Sequence, residues 1–265
     1  TFTANLAQNV EEMLATLSTD AARIEVVHLH AWAVRFLRDW KVEVEIAGQE
    51  ATDQCWEEAV LGGITADFDV GFLKLEWDHV IQTHGIQTRD EYLKIPRTGR
   101  GKTLSRLQRT KVWAVCDRYR EALKQRGLCE WLTVIRQARR LIEEKKPALP
   151  YRAVVVDEAQ DFHPEEWKLI RALVPAGAND LFLVGDAHQR IYGRKVVLKD
   201  CGVSISGRSS TLKINYRTTE QIRSWASAVL TGVPADDLDG GTEDGKGYKS
   251  LLSGPKPECR HFATA

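Results

Sequence analysis

The sequence predicts an α/β fold in which a parallel sheet is interrupted by a long and largely helical insertion. Two observations predict the sheet. The apolar runs at 152–156 and 180–184 have the length of strands, and an amphipathic helical pattern separates them. A strand–helix–strand unit of this kind has parallel strands. A third observation predicts the insertion, because two long helical patterns at 104–126 and 128–146 come just before this unit.

Periodicity also predicts the elements nearer the start of the chain. Residues 6–17 have the apolar spacing of an amphipathic helix, 24–28 that of a strand, and 31–40 that of a second helix. Further helical patterns lie near 53–61 and 76–84, within a mixed segment. The chain therefore enters the predicted insertion after one strand and two helices.

Turn and helix signals predict the later elements. Pro164 stands just before an apolar helical pattern, and proline is well suited to the first turn of a helix. A third strand is predicted at 211–214. The segment 232–256 is rich in Gly, Asp and Pro, so we predict a flexible connection there.

The net charge of zero conceals an uneven distribution of charge along the chain. Residues 1–88, the acidic block, contain 5 Lys or Arg and 15 Asp or Glu. Residues 89–146, the basic block, contain 17 Lys or Arg and 7 Asp or Glu. A concentration of positive charge is typical of a surface that binds a polyanion. Two interpretations stay open: the basic block binds nucleic acid, or its helices dock their positive faces on the acidic block.

Composition argues against a membrane protein and against a disulfide-rich one. The sequence has no long uncharged hydrophobic run of the kind that spans a bilayer. Its five cysteines are scattered, odd in number and never spaced as Cys-x-x-Cys. This usage favours free thiols in a reducing compartment over disulfides or a zinc site. We therefore expect a cytoplasmic protein.

The pair Asp157-Glu158 is the most informative feature of the sequence, because it comes at the carboxyl end of the strand predicted at 152–156. In open α/β sheets, ligands bind at that end of the strands. A carboxylate there suits a hydrated Mg²⁺, which makes Asp157 a candidate metal ligand. Glu158 is a candidate general base that accepts a proton from an attacking water.

Two further boxes follow the next predicted strands. They are Gly185-Asp186-Ala187-His188-Gln189-Arg190-Ile191-Tyr192 and Asn215-Tyr216-Arg217-Thr218. Together with Asp157-Glu158-Ala159-Gln160-Asp161, they resemble motifs II, III and IV of the superfamily 1 helicases of the UvrD/Rep/PcrA type, in that family's order and at its spacing. The resemblance is specific over roughly residues 1–40 and 150–230.

The resemblance extends to two boxes near the start of the chain. Thr1-Phe2-Thr3-Ala4-Asn5-Leu6-Ala7 is similar to the family motif in which an aromatic side chain contacts single-stranded DNA. Val26-Val27-His28-Leu29-His30-Ala31 is similar to its Thr-x-His-x-x-Ala box, with His28 in the place of the threonine. The resemblance thus implies Phe2 and His30 as DNA contacts. It also implies that Tyr192 stacks on a base; a tyrosine packed beneath its own loop is the alternative.

What the resemblance implies for the whole chain is a RecA-like sheet of the P-loop NTPase class. Residues 1–40 and 149–231 would belong to a first motor domain, 41–148 to an inserted helical accessory subdomain, and 232–265 to a linker and the start of a second motor domain. The implied activity is that of an ATP-dependent DNA helicase or translocase with 3′-to-5′ polarity. Its cofactors would be ATP and Mg²⁺, and its partner single-stranded or partly duplex DNA, although the sequence does not discriminate DNA from RNA.

The resemblance also implies roles for the residues on the nucleotide side. Asp157 would bind Mg²⁺, and Glu158 would orient and deprotonate the attacking water. Gln189 would sense the γ-phosphate and couple it to a DNA-contacting loop. Tyr216 would stack on the adenine, and Arg217 would stabilise the charge that develops on the γ-phosphate.

A turn within the basic block carries three candidate contacts to the DNA backbone: Arg97, Arg100 and Lys102. The turn contains glycine, which lets backbone and side chains approach a phosphate closely. Phosphate contacts of this kind carry no base information. We expect the three side chains on the surface, where their removal leaves the fold intact.

A phosphate loop of the form Gly-x-x-x-x-Gly-Lys-Ser/Thr is missing from the sequence. The nearest similarity is Gly101-Lys102-Thr103, where the first glycine is replaced by Pro96, and proline has no N–H to donate to a phosphate. Thr1 also lies within a motif, so we expect an internal segment of a larger motor protein that is inactive alone. The alternative is a nucleic-acid-binding or regulatory module that keeps the fold without the chemistry.

Overall fold

The computed structural model describes residues 4–17, 20, 23–61, 68–97, 101–189, 196–229, 235–236, 241–243 and 247–260. Within them the helices are α1 (Ala4–Leu17), α2 (Leu29–Asp39), α3 (Gln49–Leu61), α4 (Val70–Glu76), α5 (Arg89–Lys94), α6 (Arg106–Gln125), α7 (Trp131–Lys145), α8 (Pro164–Ala172) and α9 (Glu220–Val229). The strands are β1 (Glu45–Ile46), β2 (Leu128–Cys129), β3 (Val154–Val156), β4 (Leu181–Leu183), β5 (Ile214–Thr219), β6 (Ala235–Asp236), β7 (Thr242–Glu243) and β8 (Lys249–Leu252). A π-helical turn (Trp77–Gln82) continues α4, and 3-10 turns lie at Ala159–Asp161, Ala187–Gln189 and Leu198–Cys201.

The described strands form small two-stranded sheets among the helices. β1 pairs with β2, β3 with β4, and β5 with β8, each in parallel, whereas β6 and β7 are antiparallel. In the β3–β4 pair, Val154 lies opposite Leu181 and Val156 opposite Leu183. The mixed α/β class and the parallel strand–helix–strand unit are therefore confirmed.

Helix α8 connects β3 to β4 and begins at Pro164, as predicted. His163 caps it: the His163 Nδ1 atom accepts a hydrogen bond from the Glu165 N–H at 3.1 Å, and the Glu166 carboxylate accepts one from the His163 N–H at 2.6 Å. This reciprocal arrangement satisfies backbone donors that a helix start leaves unpaired. Trp167 is fully buried and belongs to the same core as β3. The cap and this anchor fix the helix beneath the strand pair.

The buried apolar side chains form two clusters. The first core joins α2, α7, α8, β3 and the segment 196–203. The second core joins α3, α4 with its π-helical turn, Tyr92 of α5, and α6. The second core lies entirely within the predicted insertion, whereas α7, which was placed in the same insertion, buries Val134 and Ile135 in the first core.

A buried polar network joins the two cores. Glu130, just before α7, accepts hydrogen bonds from Trp77 Nε1 at 2.9 Å, Gln82 Nε2 at 2.5 Å and the Tyr119 hydroxyl at 2.8 Å. Gln82 Oε1 in turn accepts one from Arg136 Nη2 at 3.0 Å. Burial raises the pKa of Glu130, although these donors act in the opposite direction. Because its oxygens are matched to donors, the network holds α7 against the second core.

The strand predicted at 24–28 was wrong. These residues are an irregular approach to α2. Side chains rather than a neighbouring strand tie the segment down: the Glu25 carboxylate accepts a hydrogen bond from the Tyr151 hydroxyl at 2.5 Å and pairs with Arg35.

Three predictions about the later strands also need correction. The apolar run at 152–156 predicts a strand buried along its length, but Val155 of β3 faces away from the first core and is 71 % exposed. The third strand starts at Ile214 instead of ending there, so residues 215–219 are part of β5. The segment predicted as a connection contains β8, whose backbone pairs with β5.

Two predictions from composition can be compared with the structure. All five cysteines are free, and Cys55, Cys116 and Cys201 are buried, as expected for thiols that serve as small core residues. In the described part of the chain, no helix combines the length and the apolar character needed to cross a bilayer.

Candidate functional site

The candidate site lies where β3 and β4 end side by side. The Val184 N–H donates to the Val156 carbonyl at 2.8 Å, and the Ala159 N–H donates to the Val184 carbonyl at 2.9 Å. These bonds extend the parallel ladder beyond the last strand residues. Two loops are therefore adjacent: the first loop (residues 157–161) and the second loop (residues 185–189). Together they carry three of the predicted nucleotide-side residues.

In the first loop, Glu158 has a left-handed backbone with φ 53° and ψ 43°. A non-glycine residue in this conformation is strained by about 1–2 kcal/mol, so its surroundings must hold it there. The Asp157 carboxylate contributes by accepting the Glu158 N–H at 2.9 Å. As a result the two neighbouring carboxylates differ in setting: Asp157 is exposed and Glu158 is half-buried.

The exposed carboxylate of Asp157 fits the predicted Mg²⁺. Magnesium in nucleotide sites is held by one or two carboxylates and takes its other ligands from water and phosphates. Within the described residues there is no group of three or more His, Cys, Asp and Glu side chains that would make a protein-only metal cage. A single exposed carboxylate such as that of Asp157 suits a metal that takes its other ligands from water and phosphates.

Gln160, which the sequence analysis did not single out, connects the two loops. Its side chain is buried, with 4 % exposed. Its amide nitrogen donates to Glu158 Oε2 at 2.8 Å, and its amide oxygen accepts the Asp186 N–H at 2.9 Å. A polar side chain between two acidic residues in the Asp-Glu-x-x-Asp box was the signal that could have revealed it.

The second loop is organised around Asp186. Its carboxylate accepts the His188 N–H at 2.9 Å and the Gln189 amide nitrogen, also at 2.9 Å. The Gln189 N–H donates to the Asp186 carbonyl at 3.0 Å. Gln189 is thus exposed, but its side chain is held against its own loop through the amide nitrogen.

Gly185 permits the close approach of the two loops. A Cβ atom at this position would lie 2.8 Å from Gln160 Oε1 and 2.9 Å from the Cβ of Ala159. Neither contact is tolerable, and the second involves an atom that the backbone fixes. Glycine is therefore required by close packing rather than by an unusual φ.

Tyr216 and Arg217 lie on a different sheet from the carboxylates. Both are exposed residues of β5, which pairs with β8 and not with β3 or β4. The Arg217 N–H donates to the Asn215 side chain at 2.8 Å. Among the hydrogen bonds and ion pairs of the described residues, none joins Tyr216 or Arg217 to the first or second loop. The structure therefore brings together Asp157, Glu158 and Gln189 but not the other two.

Of the predicted nucleic-acid contacts, Phe2, Arg100 and Tyr192 lie outside the described residues. His30 is half-buried at the start of α2. Its ring stacks on His28 with 5.0 Å between centroids and meets the edge of Trp131 at the same distance. The chain thus places an aromatic cluster, with Trp131 46 % exposed, at the position of the predicted DNA contact.

His30 is a neutral ring at pH 7. Burial, followed by repulsion from His28, lowers the pKa of His30 to about 4. Its Nε2 atom lies 3.2 Å from the Glu166 carboxylate, which by itself favours the protonated ring, but the cost of burying a charge is the larger effect. A role for His30 at DNA would therefore rest on hydrogen bonding or stacking and not on positive charge.

Arg97 is not the surface residue that the sequence suggested. Its side chain is 4 % exposed and forms two hydrogen bonds to Glu76, whose side chain is fully buried. Glu76 also accepts the Tyr92 hydroxyl at 2.7 Å, and Arg97 Nη1 donates to the Lys102 carbonyl at 2.6 Å. The expectation that Arg97 lies on the surface is wrong, because its guanidinium is buried and paired with the Glu76 carboxylate.

Other members of the basic block are also used inside the protein. Arg126 pairs with Glu58 of the acidic block, as Arg97 pairs with Glu76. Arg109 Nη1 donates to the carbonyl of Ile95 at 2.8 Å, at the end of α5. The docking interpretation of the basic block therefore holds for some of its residues.

Lys102 remains on the surface as predicted. Its ammonium lies 4.9 Å from the centre of the Phe68 ring and 5.5 Å from that of Phe72. Such contacts hold a lysine stem in place while its charge stays hydrated.

A comparison with known protein families identifies the family to which the chain belongs. Residues 1–195 match the UvrD/REP helicase N-terminal domain. The chain belongs to the UvrD/REP helicase family. The matched range includes the first and second loops and ends before Arg217. No curated protein matches the chain.

Membership of the UvrD/REP family gives the site a general meaning. Helicases of this family are ATP-dependent and bind DNA, so use of a nucleotide and a divalent metal is implied for the family as a whole. The oxygen donors at the carboxyl end of β3 agree with that chemistry.

Removing Arg97 is expected to unfold the second core. Arg97→Ala leaves the fully buried Glu76 carboxylate without its cation, and breaking a buried ion pair costs about 3–5 kcal/mol. The melting temperature of Arg97→Ala should therefore be much lower than that of the unmodified chain. Lys124→Ala replaces a side chain that is 78 % exposed and should change stability by less than about 0.5 kcal/mol. The double variant Arg97→Met with Glu76→Gln should recover part of the loss. Equal melting temperatures for Arg97→Ala and Lys124→Ala would contradict this account.

His30 is expected to make the fold sensitive to acid. The pKa of His30 is lowered from 6.5 to about 4 in the folded state. Between these two pH values the unfolded chain binds a proton at His30 and the folded chain does not, so protonation favours unfolding. Stability is therefore present above pH 6.5 and lost as the pH falls through this window. His30→Gln should melt with a smaller decrease between about pH 7 and about pH 5 than the unmodified chain does. An identical decrease in both proteins would show that His30 is not responsible.

Proposed function

We propose that this chain is a segment of the motor of an ATP-dependent DNA helicase or translocase that moves 3′ to 5′ along single-stranded DNA. Residues 1–40 and 149–231 are assigned to a RecA-like first motor domain, 41–148 to an inserted helical subdomain, and 232–265 to a linker and the start of a second motor domain. The separate second core, formed within residues 55–123, supports the insertion. The parallel β3–β4 pair supports a RecA-like sheet.

The observation that carries the proposal is the position of Glu158. A half-buried carboxylate stands at the carboxyl end of a parallel strand, next to an exposed carboxylate and across from the loop that carries Gln189. Partial burial and a fixed turn suit a general base, which must be held in one orientation. When bound, Mg²⁺ with ATP supplies charge neutralisation at the phosphates. Asp157 would hold that metal, and Glu158 would orient the attacking water and accept its proton.

The remaining nucleotide-side roles are assigned by position in the motifs. Gln189 would hydrogen bond to the γ-phosphate, since it is exposed at the same sheet edge as Glu158. Tyr216 would stack on the adenine, and its ring is 70 % exposed, as a stacking platform needs to be. Arg217, also exposed, would place its guanidinium on the γ-phosphate.

Single-stranded or partly duplex DNA is the proposed partner. Phe2, His30, Tyr192, Arg100 and Lys102 are the proposed contacts, and the exposed Trp131 beside His30 supports stacking on that face. The free cysteines support a reducing compartment such as the cytoplasm.

Turnover by the longest reading frame that contains this chain tests the catalytic assignment. Glu158→Gln should lower ATP hydrolysis by about 10²–10⁴-fold while sparing nucleotide binding, because the base is lost but the charge of Asp157 is kept. Arg217→Ala should also reduce turnover strongly. The 265 residues alone should hydrolyse ATP at background rate, since their sequence lacks a phosphate loop. Near wild-type turnover in both variants would refute the assignment.

A second candidate function is that of a module without catalysis, since the 265 residues contain no Gly-x-x-x-x-Gly-Lys-Ser/Thr phosphate loop. A module that kept this fold without hydrolysing ATP would bind nucleic acid or regulate a partner. The same experiment separates the two: the motor hydrolyses ATP in the longest reading frame, and the module does not, whatever residue stands at 158.

Salt dependence tests the proposed DNA path. Arg100→Ala with Lys102→Ala removes two phosphate contacts, so the log–log slope of affinity against salt should fall by about 1.4 for single strands, at roughly 0.7 per contact. Affinity should fall alike for unrelated sequences. Lys124→Ala, on the exposed face of α6, is the matched control and should leave the slope unchanged. An unchanged slope in the double variant would move the DNA path elsewhere.

A further inference from the structure

One continuous line of hydrogen bonds runs from Glu158 to Gln189. Glu158 accepts from the Gln160 amide at 2.8 Å, Gln160 accepts from the Asp186 N–H at 2.9 Å, and Asp186 accepts from the Gln189 amide at 2.9 Å. Gln160 is the buried member of this line, and its side chain bonds to both loops.

The orientation of the Gln160 amide follows from its partners. A backbone N–H can only donate, so the group that faces Asp186 must be the amide oxygen. The amide nitrogen is then turned toward Glu158, whose carboxylate can only accept when ionised. Leaving a buried amide without one of its hydrogen-bond partners costs free energy. The Gln160 side chain therefore favours the state in which Glu158 and the Asp186 N–H are both in place.

Close packing makes this link rigid. The Ala159 N–H is bonded to the Val184 carbonyl at 2.9 Å, and Gly185 has no room for a Cβ between Gln160 and Ala159. The two loops are therefore clamped on one side by backbone and on the other by the Gln160 side chain.

We propose that Gln160 is a positioning residue that couples the orientation of the Glu158 carboxylate to the conformation of the second loop. A movement of residues 186–189 that withdraws the Asp186 N–H releases the Gln160 amide, and the Glu158 carboxylate then loses its fixed donor. The base is held ready only while the second loop is in place. This inference rests on the proposed function for its catalytic meaning, but the link itself is a property of the fold.

Amide exchange at Asp186 tests the link in the 265-residue chain. Gln160→Met keeps the length of the side chain and removes its hydrogen bonds, so the Asp186 amide should exchange faster by at least about tenfold, as its acceptor is gone. Gln160→Glu keeps an oxygen that accepts the Asp186 N–H and should restore the slow exchange. The Val184 N–H donates to the Val156 carbonyl and not to Gln160, so its exchange should stay constant in both variants. Equal exchange of the Asp186 amide in the unmodified chain and in Gln160→Met would overturn the proposal.

Turnover by the longest reading frame tests the coupling. At alkaline pH, Gln160→Glu faces Glu158 with a second carboxylate and offers no donor. Both variants should therefore lower kcat by about 10–100-fold, the effect of a small misplacement of a catalytic group, with little change in KM for ATP. A purely structural role predicts instead that Gln160→Glu recovers turnover together with the Asp186 amide, and that result would overturn the coupling.

The two proposals fail in different ways. Wild-type turnover in Glu158→Gln would refute the catalytic role of Glu158, while the exchange of the Asp186 amide would still decide whether Gln160 links the loops. If Gln160→Met does not fold, Gln160→Glu supplies the decisive comparison, because slow amide exchange combined with low kcat is expected from coupling alone.

Discussion

The parallel register of β3 and β4 is the constraint on which the rest of the site depends. Val156 lies opposite Leu183, and the ladder then continues through backbone bonds of Val184 and Ala159. A slip of one residue would exchange the buried Val156, 4 % exposed, with Val155, 71 % exposed, and so would cost the first core an anchor. The same slip would carry Glu158 out of reach of the second loop. Core packing and site geometry are therefore fixed by one set of backbone bonds.

Charge in this chain serves two purposes that sequence alone cannot separate. Arg97 and Arg126 satisfy carboxylates of the acidic block, and Arg97 does so in a fully desolvated setting. Buried pairs of this kind specify how segments dock, because a carboxylate without its cation could not stay buried. Lys102, five residues from Arg97, stays at the surface. The basic block thus contains residues that pair with carboxylates of the acidic block and others, such as Lys102, that stay exposed.

The parts of the fold that could be predicted from sequence are those with local causes. Helix α8 was found because Pro164 and the apolar spacing after it act within a few residues. The burial of Arg97 could not be found, because its partner Glu76 lies 21 residues away and no local pattern announces it. The place of Gln160 between two acidic residues offered a local signal, but its role as an acceptor is defined by Asp186, 26 residues later. The strand prediction for 24–28 was wrong although the local pattern favoured it. Contacts of Glu25 with Tyr151 and Arg35, which lie outside this segment, hold it in place without a neighbouring strand.

The separation of the proposed nucleotide-side residues onto two sheets would have a mechanical consequence. Asp157, Glu158 and Gln189 share the carboxyl edge of β3–β4, whereas Tyr216 and Arg217 lie on β5–β8. If Arg217 and Gln189 act on one phosphate group, then the two sheets must approach each other around it. An arginine on a separate sheet contributes its charge only when the two sheets are close together. Hydrolysis would therefore occur only in that closed arrangement. If Glu158 is the base, the link through Gln160 places a second condition on hydrolysis, because Glu158 is oriented only when the second loop is in place. Under the proposed function, two elements would have to be in position before water is activated, as in a motor that ties each hydrolysis to a movement.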